Sequence, residues 1–251
     1  GAQIFDIDTL SDPSSPYPHM LPSPESFSVA VGRMGISRDD HVVVYDQSDV
    51  ASAARAFWMF KVFGHAKVSL LDGGWRAWKE SGGQLVSGPS AAPAPKSYHA
   101  CPQSRLIISY DQVVANTQLP SAERAILLDA RSPGRFTGRD PEPRPNISSG
   151  HIPHSINIPF GRVLEPGTGR YKSSEELRKI FSPAAPLDQP IMASCGNGVS
   201  ACVLWFGLLR AGAGQVAVYD GSWSEYAAKD ASVISREEDE EKDKQAAESQ
   251  P

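Results

Sequence analysis

Apolar residues along this chain fall into short continuous blocks, each followed by a longer amphipathic stretch. Val42-Val43-Val44-Tyr45-Asp46 is a β-branched run without polar alternation, the pattern of a strand covered on both faces. A helical run over residues 51–64 follows it. The same order returns later, with a strand predicted over 190–195 and a helix over 199–211. Between these lie a helix predicted over 111–118 and strands over 126–129 and 155–159. Ser173 with Glu176 forms a capping-box signature that opens a helix over 174–181. Strands that alternate with helices predict an α/β fold built on mainly parallel sheets.

The pattern is a repeat. Leu70-Leu71-Asp72-Gly73-Gly74-Trp75 has its counterpart in Val218-Tyr219-Asp220-Gly221-Ser222-Trp223, and each closes a strand and opens an amphipathic stretch. Residues 86–105, rich in Pro, Ala, Ser and Gly, read as a linker. The expected organisation is a first unit over 1–85, the linker over 86–105, a second unit over 106–234 and an acidic, disordered tail over 235–251. In this alignment Gly1 falls opposite about His154, so the first unit is expected to lack its N-terminal segment, including the counterpart of the 126–129 strand. A domain short of one strand should be marginal.

Composition narrows the function. Apolar residues make up 40% and charged residues 21%, and the net charge is −5. Most of that charge lies in the tail, so the body is near neutral and shows no basic patch for nucleic acid or anionic membrane. The three cysteines, Cys101, Cys195 and Cys202, form neither a disulfide framework nor a CxxC pair, which suits a reducing compartment.

The chemistry concentrates at Cys195-Gly196-Asn197-Gly198-Val199-Ser200. A strand delivers the cysteine to a turn with two glycines, and a helix starts at about Val199. Glycines let the backbone curl so that several N–H groups face inward, and the helix adds its own unpaired donors. Such a cradle favours a thiolate and suits a persulfide, whose outer sulfur is anionic. The competing reading is a cysteine packed at a strand end as a small hydrophobe.

That loop resembles the active-site loop of the tandem rhodanese-like sulfurtransferases, in particular the members that use 3-mercaptopyruvate. The resemblance extends to Ser15-Pro16-Tyr17-Pro18-His19-Met20, to Gly134-Arg135-Phe136, to Gly150-His151-Ile152-Pro153 and to both Asp-Gly-x-Trp motifs. It implies a first domain that is catalytically silent and a second that carries the nucleophile. The repeat agrees, because Cys195 aligns with Asp46.

The resemblance further implies that Cys195 takes sulfur as a persulfide, and that Arg135 and Arg144 bind the carboxylate and carbonyl of the donor. Sulfur then passes to a thiol such as thioredoxin, or to cyanide, with no cofactor required. Asp8 and His19 match two members of the family's Asp–His–Ser/Thr proton relay, but Asn197 stands at the hydroxyl position, and an amide cannot relay a proton as a hydroxyl can. A cytoplasmic or mitochondrial location is expected, the choice left open because the N-terminus reads as incomplete.

Thiosulfate is the alternative donor. Its specialists place basic residues in the loop, where this chain has Gly196 and Asn197. A phosphatase or arsenate reductase would need an Arg closing a longer loop, and Ala201 and Cys202 stand there instead. A non-catalytic scaffold is the remaining alternative, and pyruvate release would exclude it.

Overall fold

A computed structural model describes residues 1–47, 50–88, 92–229 and 234–236. The first half contains α1 (Pro24–Arg33), β1 (Val42–Val44), α2 (Ala51–Val62), β2 (Val68–Leu70) and α3 (Gly74–Glu80). The second contains β3 (Ile107–Ile108), α4 (Tyr110–Gln118), β4 (Ile126–Asp129), α5 (Pro133–Thr137), β5 (Ile156–Asn157), α6 (Ser174–Phe181), β6 (Ile191–Ser194), α7 (Ala201–Ala211), β7 (Val216–Tyr219) and α8 (Ser222–Lys229). Every named strand pairing is parallel. The second sheet has the order β3-β7-β6-β4-β5, and the first pairs β1 with β2 alone among the described residues. None of the described helices is long and apolar enough to cross a membrane.

Two parallel-sheet α/β units are therefore present, as the strand–helix alternation predicts. Several boundaries differ. The strand expected over 42–46 stops at Val44, and the one expected over 155–159 keeps only Ile156 and Asn157. Single backbone bonds still follow each shortened strand, from Leu71 N–H to Val44 O (2.9 Å) and from Ile158 N–H to Asp129 O (2.9 Å). The helix expected at Val199 starts at Ala201. Its approach is a tight turn instead, with Cys202 N–H on Val199 O (3.0 Å) and Val203 N–H on Ser200 O (3.1 Å).

The segment read as a linker does not float free. Lys96 N–H donates to Gly32 O, Cys101 N–H to Phe63 O and Gln103 N–H to Val62 O. Tyr98 and Ala100 are buried in the first half's core, where the Tyr98 hydroxyl meets His65 Nδ1 at 3.2 Å. Composition signals a lack of regular structure, but it does not signal a lack of packing. The expected start of the tail also shifts. Ser235 forms a two-way bridge with His151, and Arg236 Nε donates to Ser149 O. The acidic stretch beyond Arg236 lies outside the described residues.

The two halves share one apolar core. α2 packs on α7, with Phe57 5.1 Å from Phe206 and 6.0 Å from Trp205, ring to ring. Arg55 is the one charged side chain in the buried stretch Ala53–Phe60 of α2.

Candidate active site

The loop after β6 lies at the C-terminal end of a central strand flanked by β4 and β7. That is where open parallel sheets place their sites. Cys195 is the first residue past β6 and is fully buried. Its N–H donates to Ser222 Oγ (3.1 Å), and its carbonyl accepts Trp223 N–H (2.9 Å). The Gly196 carbonyl accepts both Ser224 N–H (2.9 Å) and Ser224 Oγ–H (2.6 Å). The loop is thus hung from the first turn of α8.

Gly198 has φ of 79°, and a Cβ there would stand 2.5 Å from Asp220 O. Glycine is required on both counts. Among the described residues, the N–H groups of Gly196 through Ser200 donate to no protein acceptor. They directly precede the start of α7, whose dipole adds positive character. The result is a set of donors suited to an anion.

Below the loop lies a buried ion pair from opposite halves of the chain. Arg55 Nη1 is 2.7 Å from Asp220 Oδ1, and neither side chain is more than 5% exposed. Burial opposes the Arg55 charge most strongly of any single influence, but Asp220 and Cys202 together outweigh it and the guanidinium pKa is raised. Arg55 also donates to Gly198 O (3.3 Å) and to His19 O. Cys202 donates its thiol to Gly198 O at 3.1 Å, and burial pushes that thiol up to about 12. Cys202 is therefore a structural thiol. All three cysteines are free, and Cys101 is exposed.

Arg135 reaches the loop from α5. A Cβ on Gly196 would stand 2.8 Å from Arg135 Nη2, so the guanidinium packs directly on that glycine. It is held by Glu142, with Nε–Oε1 at 3.1 Å and Nη2–Oε2 at 2.5 Å. Glu142 in turn binds Arg131 (3.0 Å), which pairs with Asp129 at the end of β4 (2.6 Å). Burial opposes the Arg131 charge, yet these two carboxylates raise its pKa. Arg131 also lies over the Trp223 ring at 4.4 Å. Arg144 is partly exposed, and its charge acts on His19.

His19 Nδ1 is 3.1 Å from Asp8 Oδ1, without the alignment of a hydrogen bond. Burial holds the His19 pKa below its ordinary value, against the pull of the exposed Asp8 carboxylate. Asp8, His19, Asn197, Val199 and Ser200 line one open cavity of about 580 Å³. The relay candidates and the loop from the other half therefore share one space. His19 has φ of 59°. A non-glycine residue held in the left-handed region is a strained position.

Sequence reading missed four residues that shape this site: Glu142, Arg55, Asp220 and Ser222. Two left a signal. Ser222 replaces Gly74 in the aligned repeat, and Arg55 interrupts an apolar helix. Glu142 shows only once the 138–150 loop is folded back.

A model of the rhodanese-like domain matches residues 4–81 and 111–229. A human 3-mercaptopyruvate sulfurtransferase is 44% identical over 229 residues, covering 90% of this chain and 75% of that protein. A rat thiosulfate sulfurtransferase is 46% identical over 230 residues, covering 90% and 76%. The crystal structure of the Saccharomyces cerevisiae Tum1 protein superposes with a TM-score of 0.84 at 36% identity, covering 92% of this chain and 81% of that one.

Proposed function

The chain belongs to the rhodanese-like sulfurtransferases, and from that premise we propose that Cys195 carries sulfur as a persulfide and that 3-mercaptopyruvate is its donor. The observation that carries the reading is the Cys195 loop itself. Its N–H groups are uncommitted, and the Arg135 guanidinium packs on Gly196. The Cys195 thiolate attacks the donor sulfur, and the S–S bond forms as the C–S bond breaks. The electron pair goes to carbon as the enolate of pyruvate, which then takes a proton. The persulfide's negative outer sulfur is stabilised by the loop donors. A thiolate acceptor attacks that outer sulfur and returns Cys195 as thiolate. Thioredoxin fits the acceptor role, as does cyanide.

The choice of donor is chemical, since relatives named for either donor match to a similar degree. The loop has no cation at Gly196 or Asn197 to meet a compact dianion such as thiosulfate. Arg135, packed on Gly196, and Arg144 are the guanidinium groups proposed to take the donor's carboxylate and ketone. The first half, with Asp46 in place of the nucleophile, serves as the silent domain. Three free cysteines suit the reducing cytosol or mitochondrion.

Pyruvate release from 3-mercaptopyruvate, compared with thiocyanate formation from thiosulfate and cyanide, tests the assignment. Arg135→Ala and Arg144→Ala should each lower kcat/KM for mercaptopyruvate by about 1.5 to 3 kcal/mol, and thiosulfate turnover should fall less. Equal losses for both donors would make these arginines supports of the fold. Absence of pyruvate with wild-type protein would return the reading to a scaffold.

A further inference from the structure

We propose that Arg55, contributed by the silent half, is a positioning residue for the Cys195 loop and for His19. The proposal rests on the sulfur-transfer reading for its consequence, but its geometry stands apart from the donor. Arg55 lies in α2, fully buried, with its ring of contacts split between the two halves of the chain. One arm donates to the carbonyl of Gly198, in the middle of the nucleophile loop. The other donates to the carbonyl of His19, the strained residue on the far side of the cavity. The charge is balanced by Asp220 at 2.7 Å, and the guanidinium lies over Trp58 at 4.5 Å. One planar group therefore sets the distance between the loop that holds the sulfur and the segment that holds His19.

The remaining connections show why this link is specific. Asp220 Oδ2 accepts Leu21 N–H at 2.8 Å, two residues after His19. The related contact across the interface runs the other way: Asp72 Oδ1 accepts Tyr171 N–H at 2.8 Å. Asp72 also pairs with Arg210, but at 3.3 Å and with both side chains about one-third or more exposed. Arg210 contacts no loop carbonyl in the Asp46 turn among the described residues. The interface is thus bound in two related places, and only one of them grips the nucleophile loop. Loop alignment places Leu204 opposite Arg55, so the grip is one-way. A planar fork can hold two carbonyls and a carboxylate at once, whereas an ammonium cannot hold all three at these separations. Displacement of a reacting group by about 1 Å can cost on the order of 100-fold in rate.

Arg55→Lys keeps the charge opposite Asp220 and separates positioning from folding. Its thermal midpoint should fall by a few degrees, because one buried carbonyl loses its donor. The kcat for pyruvate release should fall about 10- to 100-fold, with the KM for mercaptopyruvate changed less than about threefold. A second readout needs no donor. The rate of Cys195 alkylation by iodoacetamide, followed by peptide mass spectrometry, should change at least about threefold in Arg55→Lys. Asp72→Asn, which loosens the related contact, should lower the thermal midpoint and leave both kcat and alkylation unchanged. A shift in Cys195 alkylation without any pyruvate from the wild type would retain the positioning role and sink the sulfur-transfer reading. Wild-type kcat and alkylation in Arg55→Lys would overturn the proposal, as would an equal loss of kcat in Asp72→Asn, which would reduce Arg55 to general interface support.

Discussion

The Asp46 turn and the Cys195 loop share one backbone contact with the tryptophan of the Asp-Gly-x-Trp motif in the same half. In the first half Trp75 N–H donates to Asp46 O at 3.0 Å, and in the second Trp223 N–H donates to Cys195 O at 2.9 Å. Each turn follows a parallel strand and leads to a buried helix. The difference lies in what fills the helix start. The Asp46 carboxylate accepts Ala53 N–H at 3.1 Å, so the first half carries its own anion. Cys195 supplies no such acceptor, and its loop donors stay open for an anion that arrives. A second difference follows from one hydroxyl. Ser222 takes the place of Gly74 and accepts the Cys195 N–H. It does so at φ of 50°, where Gly74 sits at 56° without strain. The comparison teaches that the two turns differ in whether a carboxylate of the chain itself already meets the helix that follows.

The comparison breaks most completely at the nucleophile. Cys195→Ser should abolish sulfur transfer to every acceptor, and donor-treated wild type should gain one sulfur on Cys195 by mass spectrometry. Sulfur found on Cys101 or Cys202 would refute the assignment.

The two Asp-Gly motifs offer the next contrast. Asp220→Ala leaves Arg55 charged and buried without its partner, and denaturant unfolding should show a loss of about 3 to 5 kcal/mol. Asp72→Ala removes a partly exposed ion pair and one backbone contact, for a loss of about 1 to 2 kcal/mol. Similar losses would mean that burial of the Arg55 pair carries no special weight.

Ser222→Gly makes the second motif read like the first. Relief of the left-handed backbone offsets the lost hydrogen bond, so stability should change by less than about 1 kcal/mol. Sulfur transfer should nevertheless fall roughly tenfold, as the Cys195 N–H loses its anchor. A stability loss without a rate loss would place Ser222 in the fold alone.

The smallest effect is expected from pH. His19 has a lowered pKa, held down by burial. The folded state therefore binds the His19 proton less readily than the unfolded chain. Stability from this site is intact above pH of about 6.5 and declines as pH falls below it toward the lowered value. Between pH 7.5 and 5.5 the wild type should lose more stability than His19→Gln, by under about 1 kcal/mol given the solvent near Asp8. An equal pH response would show that His19 does not sense its burial.

Much of this could be read from residue order. Continuous apolar runs announced parallel strands, Ser173 and Glu176 fixed the start of α6, and β4 fell over residues 126–129 as its pattern indicates. The strand–Cys–Gly-x-Gly–helix order located the loop because glycine freedom and helix polarity are local properties. Local order could not show that residues 92–103 are strapped to the first half, because their bonds go to residues far away in the chain.

Sequence by itself determined the repeat, the loop proposed to carry the nucleophile and the asymmetry between Asp46 and Cys195, since each is written in a few adjacent residues. Only the tertiary structure decided what holds the loop. Arg55 and Asp220 are 165 positions apart, and Glu142 reaches Arg135 through a folded loop. Their roles come from burial and opposite charge at close range. Those are properties of the assembled interior, where the low dielectric makes each charged partner count.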